Sequence, residues 1–177
     1  MTMDVVLRSL NNIDNLNGFS LGSPLYQPLK SFLQKQAKSF HQSNIAKTYV
    51  VTNGSDSSKV LAYVTLVSSE ITLVGNDTNL IDDCESAHHY EALPALKIAR
   101  LAVDRRYQDI RIGSLLLDFS ISIAQQEIMP HIGCRFVIVD SKQGAINYYQ
   151  SKGFTLLDTP ANRESDHPVL FIDLHKI

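Results

Sequence analysis

The chain has 177 residues, of which 44% are hydrophobic and 19% charged, and carries a formal net charge of −2. That length suits a single domain, residues 1–177, large enough to bury a core. The balance is that of an ordinary globular protein rather than a disordered chain, and the near-neutral charge argues against a general binder of long polyanions.

No apolar run approaches the roughly 18 residues needed to cross a bilayer. The start, MTMDVVLRSL, carries an acid at Asp4 and only a short apolar stretch, which is not the pattern of a signal peptide. Cys84 and Cys134 lie far apart without metal-ligand spacing. The sequence therefore predicts a reduced, cytoplasmic protein with no metal and no membrane segment.

In chain order, segment 25–42 places Leu29, Phe32, Leu33, Ala37 and Phe40 at helical spacing, with lysines between them. Thr48–Thr52 and Val60–Val67 are rich in β-branched and aromatic residues. The turn-forming NGSDSS at 53–58 joins them as a hairpin. The acidic stretch 75–92 has no clean period and reads as a loop or insertion. Leu96–Val103 is a strand. Ile112–Ile128 carries Ile112, Leu115, Leu116, Phe119, Ile123 and Ile128 on one helical face. Phe136–Val139 is a buried strand, Gln143–Lys152 a short helix and Val169–Leu174 a last strand. This order predicts an α/β domain.

Charge is segmented along this order. Residues 1–48 hold Arg8, Lys30, Lys35, Lys38 and Lys47 against Asp4 and Asp14. Residues 70–91 are acidic, with no Lys or Arg. Residues 97–111 hold Lys97, Arg100, Arg105, Arg106 and Arg111 against Asp104 and Asp109. A local basic stretch of this kind suits a small phosphate-bearing ligand.

Two runs carry chemistry. In KIARLAVDRRYQDIRIGSLLLDFS (97–120) an apolar strand enters a basic turn and then an amphipathic helix. The first amides of a helix point unpaired at whatever sits there, so such a turn can hold an anion. Gly113 permits close approach, Ser114 offers a hydroxyl, and Arg106 and Arg111 offer charge. Any strand–turn–helix shares some of these features, and Arg105 and Arg106 equally suit a solvated rim.

In RFVIVDSKQGAINYYQSKGF (135–154) a buried strand leads to a helix bearing Tyr148 and Tyr149, with Gly153 as its C-cap. A phenol on such a helix is a proton donor at neutral pH and suits a departing thiolate. Both tyrosines suit packing; because neighbouring helical positions do not share a face, the pair equally suits one core and one functional tyrosine.

Together these runs resemble the GNAT acetyltransferases. Gln108-Asp109-Ile110-Arg111-Ile112-Gly113 corresponds to that family's R/Q-x-x-G-x-G/A loop, and Ala145, Tyr149, Gly153 and Phe154 match its A-x-x-x-Y-x-x-x-G-F block. The resemblance implies a mixed, mostly antiparallel central sheet flanked by helices. It also implies acetyl-CoA as cosubstrate and transfer of acetyl to a primary amine by direct attack in a ternary complex. Backbone amides from Gln108 to Ser114 (Gln108, Asp109, Ile110, Arg111, Ile112, Gly113, Ser114) would hold the pyrophosphate. Leu101, Ala102 and Val103 would pair with the pantetheine arm. Tyr149 would be the general acid, and Tyr148 would pack. Arg111 stands where the family usually has its first glycine; it either adds a phosphate-contacting cation or crowds the loop.

Phe19, Gly22, Leu29, Phe32, Leu33, Ala37, KTYVV (47–51) and LKIARLAVDRRYQ (96–108) resemble the branch of the family that includes bacterial toxins. Those toxins acetylate aminoacyl-tRNA and are paired with a DNA-binding antitoxin. The resemblance thus implies aminoacyl-tRNA as acceptor, a small antitoxin partner and, as often in the family, a homodimer. A small-molecule or peptide amine remains an equal alternative. A catalytically silent acyl-CoA-binding domain and a protein-interaction module stand as readings from other classes. No general base is assigned: Glu70, His88, His89 and Glu91 have no diagnostic spacing, Asp104 reads as a turn residue, and Cys134 as core.

Overall fold

The computed structural model describes residues 4–72 and 80–177. Part of the predicted acidic loop, residues 75–79, lies outside them. Seven strands form one sheet in the order β1-β2-β3-β4-β5-β7-β6. They are β1 (Val5–Ser9), β2 (Lys47–Asn53), β3 (Asp56–Thr72), β4 (Ala92–Val103), β5 (Phe136–Asp140), β6 (Thr155–Leu156) and β7 (Val169–Asp173). The helices are α1 (Gln27–Lys35), α2 (Ala37–Gln42), α3 (Ile112–Ile123), α4 (Ile146–Gln150) and α5 (Pro160–Arg163). The mixed, mostly antiparallel sheet flanked by helices is the architecture that the family resemblance implies.

The chain divides into two compact units: Met1–Val67 with Ala99–Phe119, and Ser68–Ile98 with Ser120–Ile177. In the first unit, β1 and β2 pair antiparallel, as do β2 and β3 around the predicted turn. Val50, Val60, Tyr63 and Ala102 meet Phe32, Leu33 and Ala37 in its core. The predicted helix 25–42 is two helices, broken at Gln36 (φ −125°), and its apolar stripe is buried as its spacing requires. The buried Tyr63 hydroxyl donates to the Leu29 carbonyl at 2.7 Å, fixing α1 to the sheet.

In the second unit, β5 and β7 pair antiparallel, and Ile71, Ile81, Ala95, Phe136, Ile138 and Leu157 form the core. The acidic segment reaches this core through Ile81; a short 3₁₀ turn at Glu85–His89 follows. β4 and β5 run parallel, with rungs from Ala95↔Phe136 to Ile98↔Val139.

Three sequence expectations change. β4 begins at Ala92, through Pro94, rather than at Leu96. On α3, Leu115 is 38% exposed, and the buried positions are Ile112, Leu116, Leu117 and Ser120, with Ala124 buried just beyond its end. The predicted helix continues past Ile123, but as a turn of π-helix at Ala124–Ile128.

Candidate active site

β4 runs on to Val103 although its parallel ladder with β5 ends at Ile98. Among the described residues, the backbone of Leu101, Ala102 and Val103 therefore has no rung to β5, while β3 borders the other edge of β4.

The strand ends at Asp104, which is fully buried and caps a 3₁₀ turn spanning Arg105–Ile110. Its carboxylate accepts from the Ser20 N–H (2.9 Å) and the Arg106 N–H (3.0 Å). It also accepts from Arg106 Nε (2.8 Å) and Nη2 (2.7 Å), and Arg106 Nη2 reaches the Gly18 carbonyl at 2.8 Å. Burial pushes the Asp104 carboxyl up, but the Arg106 side chain and the two amides outweigh it and hold it below the usual carboxylate range.

The predicted role of Arg106 as a phosphate-binding charge changes accordingly: its guanidinium is committed to bracing the turn. Asp104 is the turn residue the sequence indicates. Ser20 and Gly18 were not foreseen, since they lie 84 and 88 residues from their partners and leave no local signal.

Arg111 follows with φ 58° and ψ 18°, the left-handed conformation that favours glycine. The backbone thus keeps the turn for which the family's glycine is suited, with an arginine in it. The Ser114 N–H turns back to the Arg111 carbonyl at 3.1 Å. Gln108, Asp109 and Ile110 lie within the 3₁₀ turn, and Ile112 and Gly113 open α3. Arg105 and Arg111 are exposed at the surface of the turn.

Tyr149 lies in the second unit, on α4, and is 8% exposed. The helix ends in a Schellman motif: the Gly153 N–H donates to Gln150 O (3.0 Å) and the Phe154 N–H to Tyr149 O (3.1 Å). Gly153 has φ 89°, and Phe154 packs edge-on against the Tyr149 ring at 5.6 Å. Tyr148, expected to pack, is instead 37% exposed, with its ring edge-on to that of Tyr149 at 5.3 Å.

Glu70, His89 and Glu91 are exposed, and His88 Nε2 lies 2.7 Å from the Ile81 carbonyl. Cys134 is buried, as its sequence context indicates.

A mixed sheet with a strand continuing past its parallel partner into a tight turn and a helix is the architecture of an acyl-CoA-using transferase. A sequence profile of the Acetyltransferase (GNAT) family matches residues 24–154, and the chain belongs to that family. It is an N-acetyltransferase that draws its acetyl group from acetyl-CoA.

No curated protein sequence matches the chain. Among solved structures it is similar to AtaT complexed with acetyl-methionyl-tRNAfMet, at TM-score 0.79 and 22% identity over 98% of this chain and 96% of that one. It is similar to a tyrosine-to-phenylalanine mutant of the toxin AtaT bound to the C-terminus of the antitoxin AtaR and acetyl-CoA, at 0.75 and 20% over 98% and 95%. It is similar to a mutant of KacT, at 0.79 and 19% over 97% and 96%. At these identities the likeness establishes the fold.

Proposed function

We propose that this chain acetylates the α-amine of an aminoacyl-tRNA, as one acetyltransferase domain over residues 1–177 in the cytoplasm, and that a small antitoxin protein restrains it. The observation that carries this reading is the likeness to AtaT, solved with acetyl-methionyl-tRNAfMet, over nearly the whole of both chains. The complex of AtaT with AtaR and acetyl-CoA supports the same donor and kind of partner. β3, β4 and α3 each run through both compact units, which supports one domain.

Acetyl-CoA supplies a thioester, and the acceptor amine attacks its carbonyl directly, so no enzyme nucleophile is required. In this reading the amides of Gln108 to Gly113 hold the pyrophosphate, with Arg111 adding charge and Ser114 a hydroxyl. Leu101, Ala102 and Val103 hydrogen-bond the pantetheine arm through the part of β4 that lacks β5 rungs. Tyr149 gives its phenolic proton to the departing sulfur as the carbon–sulfur bond breaks. The neutral amine loses one proton to solvent as the amide forms, and solvent returns one proton to the Tyr149 phenolate, so the cycle closes.

A small-molecule or peptide amine is the second reading. Lys38, part of the basic helical face that would meet RNA, is committed to the Asn12 and Asp14 carbonyls at 2.7 and 2.9 Å. Together with the net charge of −2, this leaves a smaller cationic face than a long RNA footprint favours.

The test follows CoA release from acetyl-CoA with charged tRNAs, free amino acids, polyamines and peptides, for the parent and Tyr149→Phe. Release driven by charged tRNA and lost in the variant supports the reading. Release driven only by a small amine or peptide replaces the acceptor, and no release with any amine overturns it.

A further inference from the structure

Arg100 is placed unlike the other arginines. Arg8, Arg106, Arg135 and Arg163 each face a carboxylate, and Arg105 and Arg111 are exposed on the turn. Arg100 is half-buried in the middle of a strand, and among the described residues it pairs with no carboxylate. Its guanidinium carbon sits 3.7 Å from the centre of the Phe32 ring on α1. Alternation along β4 puts it on the same face as Ala102, which lies in the core with Phe32 and Tyr63.

A guanidinium resting on an aromatic face is held in place, while its N–H edge stays available to a planar or tetrahedral anion. No buried side-chain nitrogen or oxygen among the described residues lacks a partner. Among the described residues no hydrogen-bond partner meets the Arg100 donors, so these are donors that solvent, and hence a ligand, can reach.

The direction of the strand says which ligand. With the pyrophosphate at Gln108–Gly113 and the pantetheine arm along Val103, Ala102 and Leu101, the thioester end arrives next to Arg100. The acceptor must bring its amine to that end. In an aminoacyl-tRNA the amino-acid carboxylate is consumed in the ester to the ribose, so the negative charge nearest the amine is the phosphodiester of the terminal nucleotide.

We propose that Arg100 binds this phosphodiester and thereby positions the amine for attack, a specificity contact on the acceptor side of β4. This rests on the aminoacyl-tRNA reading above. Phosphate recognition by a preformed arginine fork fits the geometry that a lysine would not reproduce.

The test compares two minimal acceptors, 3′-O-methionyl-adenosine and the methionyl ester of cytidylyl-(3′→5′)-adenosine, which differ by that phosphodiester and its cytidine. A third, methionyl ester of a methylphosphonate-linked dinucleotide, keeps the cytidine without the charge. Steady-state kcat and KM are measured for the parent, Arg100→Met and Arg100→Lys, with acetyl-CoA affinity by calorimetry. The parent is expected to favour the charged dinucleotide over both neutral acceptors by about tenfold or more, the size of one charge-assisted hydrogen bond. Arg100→Met should abolish that preference through KM while leaving acetyl-CoA affinity unchanged, and Arg100→Lys should keep part of it.

A preference that survives Arg100→Met overturns the proposal. So does an equal loss on all three acceptors, which would mean that Arg100 acts only by holding Phe32. If Arg100→Met does not fold, Arg100→Lys decides: an undiminished preference or a loss shared by all three acceptors overturns the assignment. A parent that acetylates neither charged tRNA nor any of these esters removes the aminoacyl-tRNA reading, and the proposal with it. Turnover by the parent and preference in the variants are separate readouts, so the two failures are distinguishable.

Discussion

The Phe154 N–H donates to the Tyr149 carbonyl at 3.1 Å, and the two rings meet edge-on at 5.6 Å. One hydrogen bond and one ring contact thus tie the candidate proton donor to the residue that follows its helix. The glycine between them makes this possible. At φ 89° Gly153 reverses the chain, so the spacing Y-x-x-x-G-F is that of a Schellman cap with its apolar contact. The motif read in sequence as a family signature is therefore also a device for fixing a tyrosine.

Gly153→Ala tests that device. A Cβ at this position meets nothing within 4 Å, so the cost is conformational rather than steric contact. A left-handed alanine costs about 1 kcal/mol, which urea unfolding should show. Turnover should fall more than stability does, because the cap that orients Tyr149 loosens; acetyl-CoA affinity should stay unchanged by calorimetry. Unchanged turnover would separate the cap from the catalytic role.

Arg111→Gly tests the departure from the family pattern. Glycine relieves a left-handed arginine but makes the unfolded chain more flexible, and these nearly cancel, so stability should stay within about 0.5 kcal/mol. Acetyl-CoA affinity should fall about fivefold, the value of one exposed charge contact, and its salt dependence should weaken. Calorimetry at low and high salt reads both. Tighter binding in Arg111→Gly would show that the arginine crowds the turn instead.

Much of this arrangement was legible because it is local. The periodicity of α1 and α2, the β2–β3 turn and the Gly153 cap all rest on neighbours a few residues apart. What escaped the sequence depends on distant partners. β4 starts at Ala92 through a proline because Arg135 N–H bonds the Pro94 carbonyl at 2.9 Å and Ala95 pairs with Phe136. Proline at a strand start tolerates this, but in sequence it reads as a break. Along α3 and just beyond its end, the buried column Ile112, Leu116, Ser120 and Ala124 includes a serine and an alanine, so counting large apolar residues selected Leu115 wrongly. Arg106 looked available for phosphate because its carboxylate, although only two residues away, needs Ser20 and Gly18 to complete the brace.

Asp104→Asn probes that brace through pH. The folded-state carboxyl titrates below its ordinary value of about 3.9, so its contribution to stability is present above that value and is lost as pH falls through the lower one. The parent should therefore lose stability steeply below about pH 4, and the asparagine variant should lack this component of the acid limb. At neutral pH the variant should be less stable by about 2 kcal/mol, less than a fully buried pair because Arg106 is partly solvated. Urea unfolding across pH 2–7 checks both expectations (range set by about two units around the ordinary carboxyl). Parallel acid limbs for parent and variant would place the sensitivity elsewhere.

In the second unit, Arg135 holds two acids of unequal burial. Its Nε and Nη2 donate to Asp173 at 2.6 and 2.9 Å, and its Nη1 donates to both Asp83 oxygens at 2.9 and 3.0 Å. The Asp173 side chain is 5% exposed, whereas that of Asp83 is 46% exposed and also receives His175 Nδ1 at 3.1 Å. The two pairs should therefore separate energetically. Arg135→Ala leaves Asp173 buried without its guanidinium and should cost about 3 kcal/mol. Asp83→Asn removes a solvated partner and should change global stability by no more than about 0.5 kcal/mol. Its effect should be local, because Asp83 ties the segment after residue 80 to the strand. Limited proteolysis should cut that segment faster in Asp83→Asn while the unfolding midpoint stays in place. Equal destabilisation by the two variants would mean that the acidic segment is part of the cooperative core rather than a clasped extension of it.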